Sequence, residues 1–343
     1  MFLFFDKLKQ KFMDIQELKK IKEDVRIFAA SPDDEPLTSK ICDELGIQMS
    51  GIDHVYFSNG VYQPRLIDSV RGKFAVLVST TYPNPQAKAY ELQLILDALH
   101  RSHARFILLV VPYTAHARSD KKDQGHISIG FRSFAIGINP YISLVLFCDI
   151  HNDATEGFFR QTDIITAREL IFNYAKNLGI QAMVSIDIGD NKRTKKMANA
   201  LNVPWGSMDK DRKGNTDSAN ATNIFGVNLR DKVVLAIDDE VSTAGSIEVA
   251  GQLVQQSGAR EFYVACSHGV FCGKALERIT NGPITKVITT NTIPHDSVRQ
   301  SLIDSGKLFV IDMSPKFAQS IKNIYLNKPL GKLFDYNSSY GKS

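Results

Sequence analysis

The stretch 232–258 constrains the fold more than any other part of this chain. Its first segment, Val233 to Ile237, is a continuous apolar run rich in β-branched residues, which is typical of a strand buried on both faces of a parallel sheet. A loop of small and hydroxylated residues follows at 240–246, and the apolar spacing over 247–256 predicts a helix that ends near Gly258. Strand, loop and helix in this order indicate an open α/β sheet, whose ligands bind beyond the carboxyl ends of the strands.

This loop combines two chemistries that suit different parts of one ligand. Backbone amides and hydroxyls in its second half can surround a phosphate, because Ala and Gly allow the backbone to approach closely. These residues are Thr243, Ala244, Gly245 and Ser246. Asp238 and Asp239, at the end of the predicted strand, would repel the same phosphate, so they must face sugar hydroxyls or a Mg²⁺ ion. A phosphorylated sugar satisfies both halves of the loop.

The acid pair has two other interpretations. Receiver domains of two-component systems also begin with paired acids after an apolar strand, but they need a further strand-end Asp, and the corresponding stretch 284–291 contains no acid. An ordinary strand-to-helix turn with two solvated acids stays open on the residues of this loop alone.

Length and composition narrow the class of protein. With 343 residues the chain can form two domains, each with a core of its own. The 41 basic and 37 acidic residues include no long basic run, so we expect no nucleic-acid partner. Four cysteines without paired zinc spacing, and no secretory pattern, favour reduced thiols in a cytoplasmic protein. No apolar run is long enough to cross a bilayer, so we expect no membrane partner.

Strand and helix patterns alternate along the whole chain and begin afresh near Thr166. We therefore predict an α/β protein with two similar open, mostly parallel-sheet domains at 25–165 and 166–330, an N-terminal extension at 1–24 and a tail at 331–343. Apolar residues at helical spacing from Leu8 to Ile21 predict a helix in the extension. Packing on its own domain or on a neighbouring subunit is favoured over attachment to a membrane surface.

The central loop carries a resemblance to a known family. Ala236-Ile-Asp-Asp-Glu-Val-Ser-Thr-Ala-Gly-Ser246 resembles the ribose 5-phosphate loop of ribose-phosphate pyrophosphokinases, relatives of type I phosphoribosyltransferases, and further matches extend from Val25 to Ile324. The resemblance implies a phosphoribosyltransferase-like fold and Mg²⁺-dependent transfer of the diphosphate of ATP to ribose 5-phosphate, giving phosphoribosyl pyrophosphate (PRPP) and AMP. It also implies a homo-oligomer. The implied ribose 5-phosphate contacts are Asp238, Asp239, Ser242, Thr243, Ala244, Gly245 and Ser246.

Segments of the first half are similar to the ATP-binding segments of this family. The stretch 57–61 implies that Phe57 stacks on adenine and that Asn59 reads its edge. The polar loop 116–126 implies ATP contacts from Arg118, Ser119 and Asp120. Without the resemblance, Phe57 is simply a core aromatic and Arg118 a solvated loop residue.

A strand predicted over 142–149 delivers two polar residues to the edge of the first sheet. Asp149 and His151 are two apart, so on a continued strand they would share a face and could converge on a metal or a phosphate. The resemblance places His151 at the ATP and Mg²⁺ site. A structural histidine is the alternative interpretation.

Two loops of the second half also resemble the family. The loop 187–193 is similar to its pyrophosphate loop, in which Asp187 would join His151 as a Mg²⁺ ligand. The polar stretch 205–217 predicts a mobile loop, and the resemblance implies that Lys210 and Arg212 are catalytic residues that close over the transferred group. A disordered basic hairpin tip is the alternative.

The chain departs from the family pattern at four positions. Val61 stands in place of Glu, Ser119 in place of Gln, Asp190 in place of a small residue, and Ser242 in place of an acid. These departures keep a second hypothesis open, a catalytically weak, nucleotide-binding subunit that regulates an active partner. A third hypothesis is a phosphoribosyltransferase that consumes PRPP.

Overall fold

The computed structural model describes residues 16–211 and 220–331 of the chain. It confirms the predicted fold class, an α/β protein built on two mostly parallel sheets. Two compact units divide between Ile165 and Thr166, and the chain returns to the first unit at Met313. The sequence predicts that residues up to 330 stay with the second domain. The last helix instead packs against a helix of the first unit.

The first unit contains a five-stranded parallel sheet, a hairpin and helices. The sheet strands, in spatial order, are β1 (Val25–Ala29), β4 (Phe74–Val78), β5 (Phe106–Val111), β6 (Leu144–Cys148) and β7 (Thr162–Ile165). The antiparallel hairpin consists of β2 (Ile52–Tyr56) and β3 (Tyr62–Leu66). The helices are α1 (16–24), α2 (Glu35–Leu45), α3 (Pro85–Arg101), α4 (Gly130–Ile138) and α10 (Ser314–Tyr325). Every residue of β4 is buried, as expected of a central parallel strand covered on both faces.

Helix α1 packs on its own unit. Its Ile21 is buried, and Glu17 pairs with Lys322 and Lys328 near the end of the described chain. The Tyr325 hydroxyl donates a hydrogen bond to Asp24 at 3.0 Å. For residues 16–24, this packing agrees with the expectation that the extension lies against its own domain.

The second unit contains a seven-stranded sheet. Its strands, in spatial order, are β10 (Asn220–Phe225), β9 (Trp205–Asp211), β8 (Ala182–Ser185), β11 (Val233–Val241), β12 (Glu261–Gly269), β13 (Lys286–Thr290) and β14 (Leu308–Ile311). Only the pairing of β10 with β9 is antiparallel among these strands of the described chain. The helices are α5 (Arg168–Ala175), α6 (Asn191–Leu201), α7 (Gly245–Gln256), α8 (Ala275–Asn281) and α9 (Ser297–Asp304).

The polar stretch expected to form a mobile loop begins with a strand instead. Residues Trp205–Asp211 form β9, in which Met208 is buried and pairs with Ile224. The prediction of a loop over these residues is wrong, because backbone pairing with β10 and one apolar anchor outweigh the polar composition. Residues 212–217 of the predicted loop lie outside the described residues.

Two expectations from composition can be set against the structure. All four cysteines are free thiols, and three of them are buried. No helix in the part of the chain that the structure describes has the length and apolar character needed to span a membrane.

Candidate functional site

The turn between β11 and α7 leads into the N-terminus of a helix, a position that favours an anion. Ala244 adopts a left-handed backbone with φ of 60° and stands at the N-cap of α7, where its methyl side chain makes no capping hydrogen bond. The first turn of a helix leaves its N–H groups without intrahelical partners, and the helix dipole adds positive potential there. The predicted phosphate turn therefore has the backbone of an anion-binding site.

The acid pair lies on the strand itself. Strand β11 was expected to end at Ile237, but it continues to Val241, and Asp238 pairs with Cys266 of β12. The strand is longer than predicted because β12 extends to Gly269 and offers a backbone partner as far as Val241.

The two carboxylates of the pair disfavour each other's charge. The backbone N–H of Asp239 donates to Asp238 Oδ1 at 2.8 Å. Burial raises the pKa of Asp238 well above its usual value, and the neighbouring Asp239 raises it further. Hydroxyl donors or a cation would relieve this unfavourable charge. The pair is thus suited to one of the two partners expected from the sequence.

The structure brings a second acidic loop to the same edge of the sheet. After β8, a short 3₁₀ turn, Ile188–Asp190, leads into α6. Burial raises the pKa of Asp190, Arg193 opposes the shift, and Asp239 and Asp187 add to it. Strands β8 and β11 are parallel neighbours in the sheet, so the loops at their carboxyl ends lie at the same edge, as predicted.

Two arginines offset part of this negative charge. Arg193 forms an ion pair with Asp190 at 3.2 Å, and both side chains are largely buried. Arg168 and Arg193 also line a small cavity of about 20 Å³ beside Asp238, which has room for about one water molecule. Part of the positive charge in the predicted pyrophosphate loop is therefore already engaged by a residue of the chain.

Residues distant in sequence support the phosphate turn. Ser242 Oγ lies 3.2 Å from Cys272 Sγ, and the backbone N–H of Cys272 donates to the Ser242 carbonyl at 3.1 Å. Arg278 donates to the carbonyl of Thr243 at 2.9 Å. The sequence did not predict that Cys272 and Arg278 contact the turn, because only the packing of the β12–α8 connection and of α8 against the turn brings them there.

On the first unit, the predicted adenine contacts lie at the tip of the β2–β3 hairpin. Phe57 is 48 % exposed, so its interpretation as a core aromatic is wrong. Asn59 Oδ1 accepts a hydrogen bond from the N–H of Val61 at 3.2 Å and so helps to shape the turn. The aromatic ring is accessible to a planar ligand, as the resemblance implies.

The other predicted ATP contacts follow β5 and β6. Arg118 ends a 3₁₀ turn and is exposed, whereas Ser119 accepts a hydrogen bond from the N–H of Gly130 at 3.0 Å and closes the loop before α4. Asp120 accepts from Asn152 at 2.8 Å. The loops after these two strands therefore meet, and His151 lies beside the residue that joins them.

The expectation that Asp149 and His151 share a face of one continued strand is wrong. Strand β6 ends at Cys148, and Asp149 has a left-handed backbone with φ of 38°, which breaks the strand alternation. Asp149 is buried and His151 is exposed.

The predicted metal ligands and catalytic residues stay predictions. Within the described residues, no group of three or more His, Cys, Asp and Glu side chains could hold a metal ion. His151 lies in the first unit and Asp187 in the second. Lys210 lies on β9 opposite Ala221, and Arg212 lies outside the described residues.

Comparisons with known proteins agree with the family resemblance. Residues 25–139 match the N-terminal domain of ribose phosphate pyrophosphokinase, and residues 213–335 match the phosphoribosyl synthetase-associated domain. Ribose-phosphate pyrophosphokinase 2 of Enterococcus faecalis is 31% identical over 320 residues, which cover 91% of this chain and 96% of the relative. The chain belongs to the ribose-phosphate pyrophosphokinase family.

Two further proteins support the assignment to the ribose-phosphate pyrophosphokinase family. The chloroplastic ribose-phosphate pyrophosphokinase 1 of Oryza sativa subsp. japonica is 35% identical over 282 residues, covering 80% of this chain and 71% of the relative. The crystal structure of phosphoribosylpyrophosphate synthetase from Mycobacterium smegmatis is similar to this structure with a TM-score of 0.78 and 26% identity. The matched region covers 89% of this chain and 99% of the Mycobacterium smegmatis chain. The family suggested by the central loop is therefore confirmed.

Proposed function

We propose that this chain is a Mg²⁺-dependent ribose-phosphate diphosphokinase, which transfers the β,γ-diphosphate of ATP to the anomeric hydroxyl of ribose 5-phosphate. The products are PRPP and AMP. The observation that carries the proposal is the acid pair of β11 shortly before the N-terminus of α7, whose N-cap residue makes no side-chain capping hydrogen bond. Relatives with this family's name in Enterococcus faecalis and Clostridium acetobutylicum support the assignment of the reaction.

Ribose 5-phosphate is the ligand that matches the turn. In the proposal its phosphate accepts hydrogen bonds from the amides at the start of α7 and from the hydroxyls of Thr243 and Ser246. Asp238 and Asp239 accept hydrogen bonds from the ribose hydroxyls. Those donors would stabilise the ionised form of Asp238, whose pKa the protein alone raises. Binding of the sugar therefore relieves a charge conflict that exists in the free protein.

The reaction is an in-line displacement at phosphorus. The anomeric oxygen forms a bond to the β-phosphorus, the bond from that phosphorus to the α,β-bridging oxygen breaks, and the anomeric proton is released. Charge builds up on phosphoryl oxygens, so positioning and cationic groups supply most of the catalysis. We assign that role to Lys210 and Arg212. No covalent intermediate with the protein is required.

We assign the ATP contacts and the metal ligands as the family resemblance implies them. The ATP contacts are Phe57, Asn59, Arg118, Ser119, Asp120 and His151. Mg²⁺ usually binds one or two carboxylates together with substrate phosphates and water. Asp187 and His151 would hold it. When bound, Mg²⁺ neutralises charge on the phosphate oxygens.

One observation favours a second candidate, a catalytically weak regulatory subunit. Asp190 occupies the place of a small residue in the pyrophosphate loop and already pairs with Arg193. That pair competes with pyrophosphate for the arginine and adds a carboxylate beside it. A chain that binds nucleotides but turns over slowly would result.

Incubation of the purified chain with ATP, Mg²⁺ and ribose 5-phosphate tests the proposal through the formation of AMP. AMP in stoichiometric amount with PRPP supports the enzyme, and tight nucleotide binding without AMP supports the regulatory subunit. Consumption of supplied PRPP with a nucleobase would indicate a phosphoribosyltransferase. Asp239→Asn should abolish turnover, whereas Asp231→Asn, at an exposed acid of the same unit, serves as the matched control.

We also propose that the protein is a homo-oligomer. A molecular mass in solution equal to that of a single chain would contradict this proposal.

A further inference from the structure

We propose that Arg278 is a positioning residue for the phosphate turn and sets the affinity of this site for the charged end of a phosphorylated sugar. The inference rests on the proposed function and deepens it. Arg278 lies on α8, 35 positions along the chain from the residue whose carbonyl it contacts. It belongs to no motif singled out in the sequence.

The guanidinium group of Arg278 contacts the turn on both of its sides. Nη1 donates to the carbonyl of Thr243 at 2.9 Å, and Nε lies 3.0 Å from a carboxylate oxygen of Glu248 in the first turn of α7. A Cβ atom placed on Gly245 would stand 3.1 Å from Nη1. The planar, multidentate guanidinium therefore joins the strand side of the turn to its helix side, a geometry that a lysine ammonium cannot reproduce in full.

These contacts explain why a small residue stands at position 245. A larger side chain would push against the guanidinium, whereas Gly245 lets the arginine lie directly against the backbone. The hydrogen bond to Thr243 fixes one end of the turn. The amides at the start of α7 are then held in place before a ligand arrives, which lowers the cost of ordering them on binding.

The ion pair also sets the charge of the site. Glu248 would otherwise present a carboxylate close to the entering phosphate, and Arg278 neutralises it. Both side chains are about 30 % exposed, so the pair is accessible to a competing anion. Loss of Arg278 therefore removes a positive charge and leaves the Glu248 carboxylate to repel the phosphate. Loss of Glu248 leaves the guanidinium of Arg278 available to the phosphate.

The two partners consequently predict opposite effects on binding. Arg278→Gln should raise the Kd for ribose 5-phosphate by roughly 10- to 100-fold, the factor expected for hydrogen bonds to a charged group. Glu248→Gln should lower it by about 2- to 5-fold, the scale of a partly exposed ion pair. Arg278→Lys should fall between wild type and Arg278→Gln. In turnover, KM for ribose 5-phosphate should rise in Arg278→Gln while kcat changes little.

Isothermal titration with ribose 5-phosphate, and separately with inorganic phosphate, measures these effects without requiring turnover. Arg260→Gln, which removes an exposed arginine of the same unit, is the matched control and should bind like wild type. If Arg278→Gln binds ribose 5-phosphate with wild-type affinity, the proposal is overturned. Equal weakening of binding by Arg278→Gln and Glu248→Gln would also overturn it, because that result indicates that the ion pair is purely structural. Wild type that binds ribose 5-phosphate but forms no AMP contradicts the enzyme and leaves the role of Arg278 measurable. Wild type that binds neither ligand overturns both proposals.

Discussion

Replacing Arg299 with methionine should strongly destabilise the second unit. Arg299 is buried, and its guanidinium donates to the backbone carbonyls of Gly269 and Val270, pairs with Asp296 and lies over the ring of Phe271. Methionine leaves two buried carbonyls and one carboxylate without these partners. Removing one member of a buried charged group costs far more than the net contribution of an exposed pair.

This arginine also supports the candidate site through the segment it holds. The N–H groups of Val270 and Phe271 donate to the carbonyl of Val241, at the end of the strand that carries the acid pair. The next amide, that of Cys272, donates to Ser242 in the turn. Loss of Arg299 should therefore weaken ribose 5-phosphate binding as well as stability.

The expected cost is about 3–5 kcal/mol, which for a unit of this size corresponds to a Tm lower by roughly 6–20 °C. Trp205 is the only tryptophan of the chain and lies on β9, so its fluorescence follows unfolding of the second unit. Arg260→Met is the control, because its ion pair with Glu261 is exposed and should contribute less than about 1 kcal/mol. A loss of less than about 1 kcal/mol in Arg299→Met would refute the argument that its buried contacts hold the loop.

Three further changes test the charges of the site. Because burial raises the pKa of Asp238, the folded protein binds this proton more tightly than the unfolded chain, and stability from this group is lost as pH rises through the raised pKa. Asp238→Asn should therefore raise the Tm of the ligand-free protein at mildly alkaline pH and change it little in acid, while ribose 5-phosphate binding falls. Thermal melts across pH measure the change, and a lower Tm of the variant at alkaline pH would contradict this prediction. Asp190→Gly frees Arg193 and should lower KM for ATP by about 3- to 10-fold in initial-rate measurements, and an unchanged KM would mean that the carboxylate does not compete. Lys210→Ala should reduce kcat by about 100-fold or more at unchanged ribose 5-phosphate affinity, and full turnover would remove this residue from the mechanism.

Regular hydrophobic patterns predicted most of the fold. The apolar run at the start of β11 predicted a strand, because a strand buried on both faces of a parallel sheet is rich in apolar, β-branched residues. The predicted end of α7 near Gly258 is also confirmed, since this glycine has a φ of 77° after the last helical turn. The family followed from the central loop, whose residue types and order are specific.

Where elements end was less predictable, because strand length depends on partners that are distant in sequence. Strand β11 continues past its apolar run because β12 pairs with it as far as Val241. Strand β9 forms from a polar segment because β10 supplies its backbone partner. Strand β6 stops before Asp149, and no local sequence pattern predicted the left-handed backbone of this residue.

By itself, the sequence determined the α/β class, the family and the order of acids and small residues in the phosphate turn, because these depend on local periodicity and residue chemistry. Only the tertiary structure decided which charges share a site. Asp239 and Asp187 lie close enough to Asp190 to raise its pKa, and Arg278 reaches the turn from another helix. Electrostatic energy depends on separation in space, and the order of residues along the chain does not specify that separation.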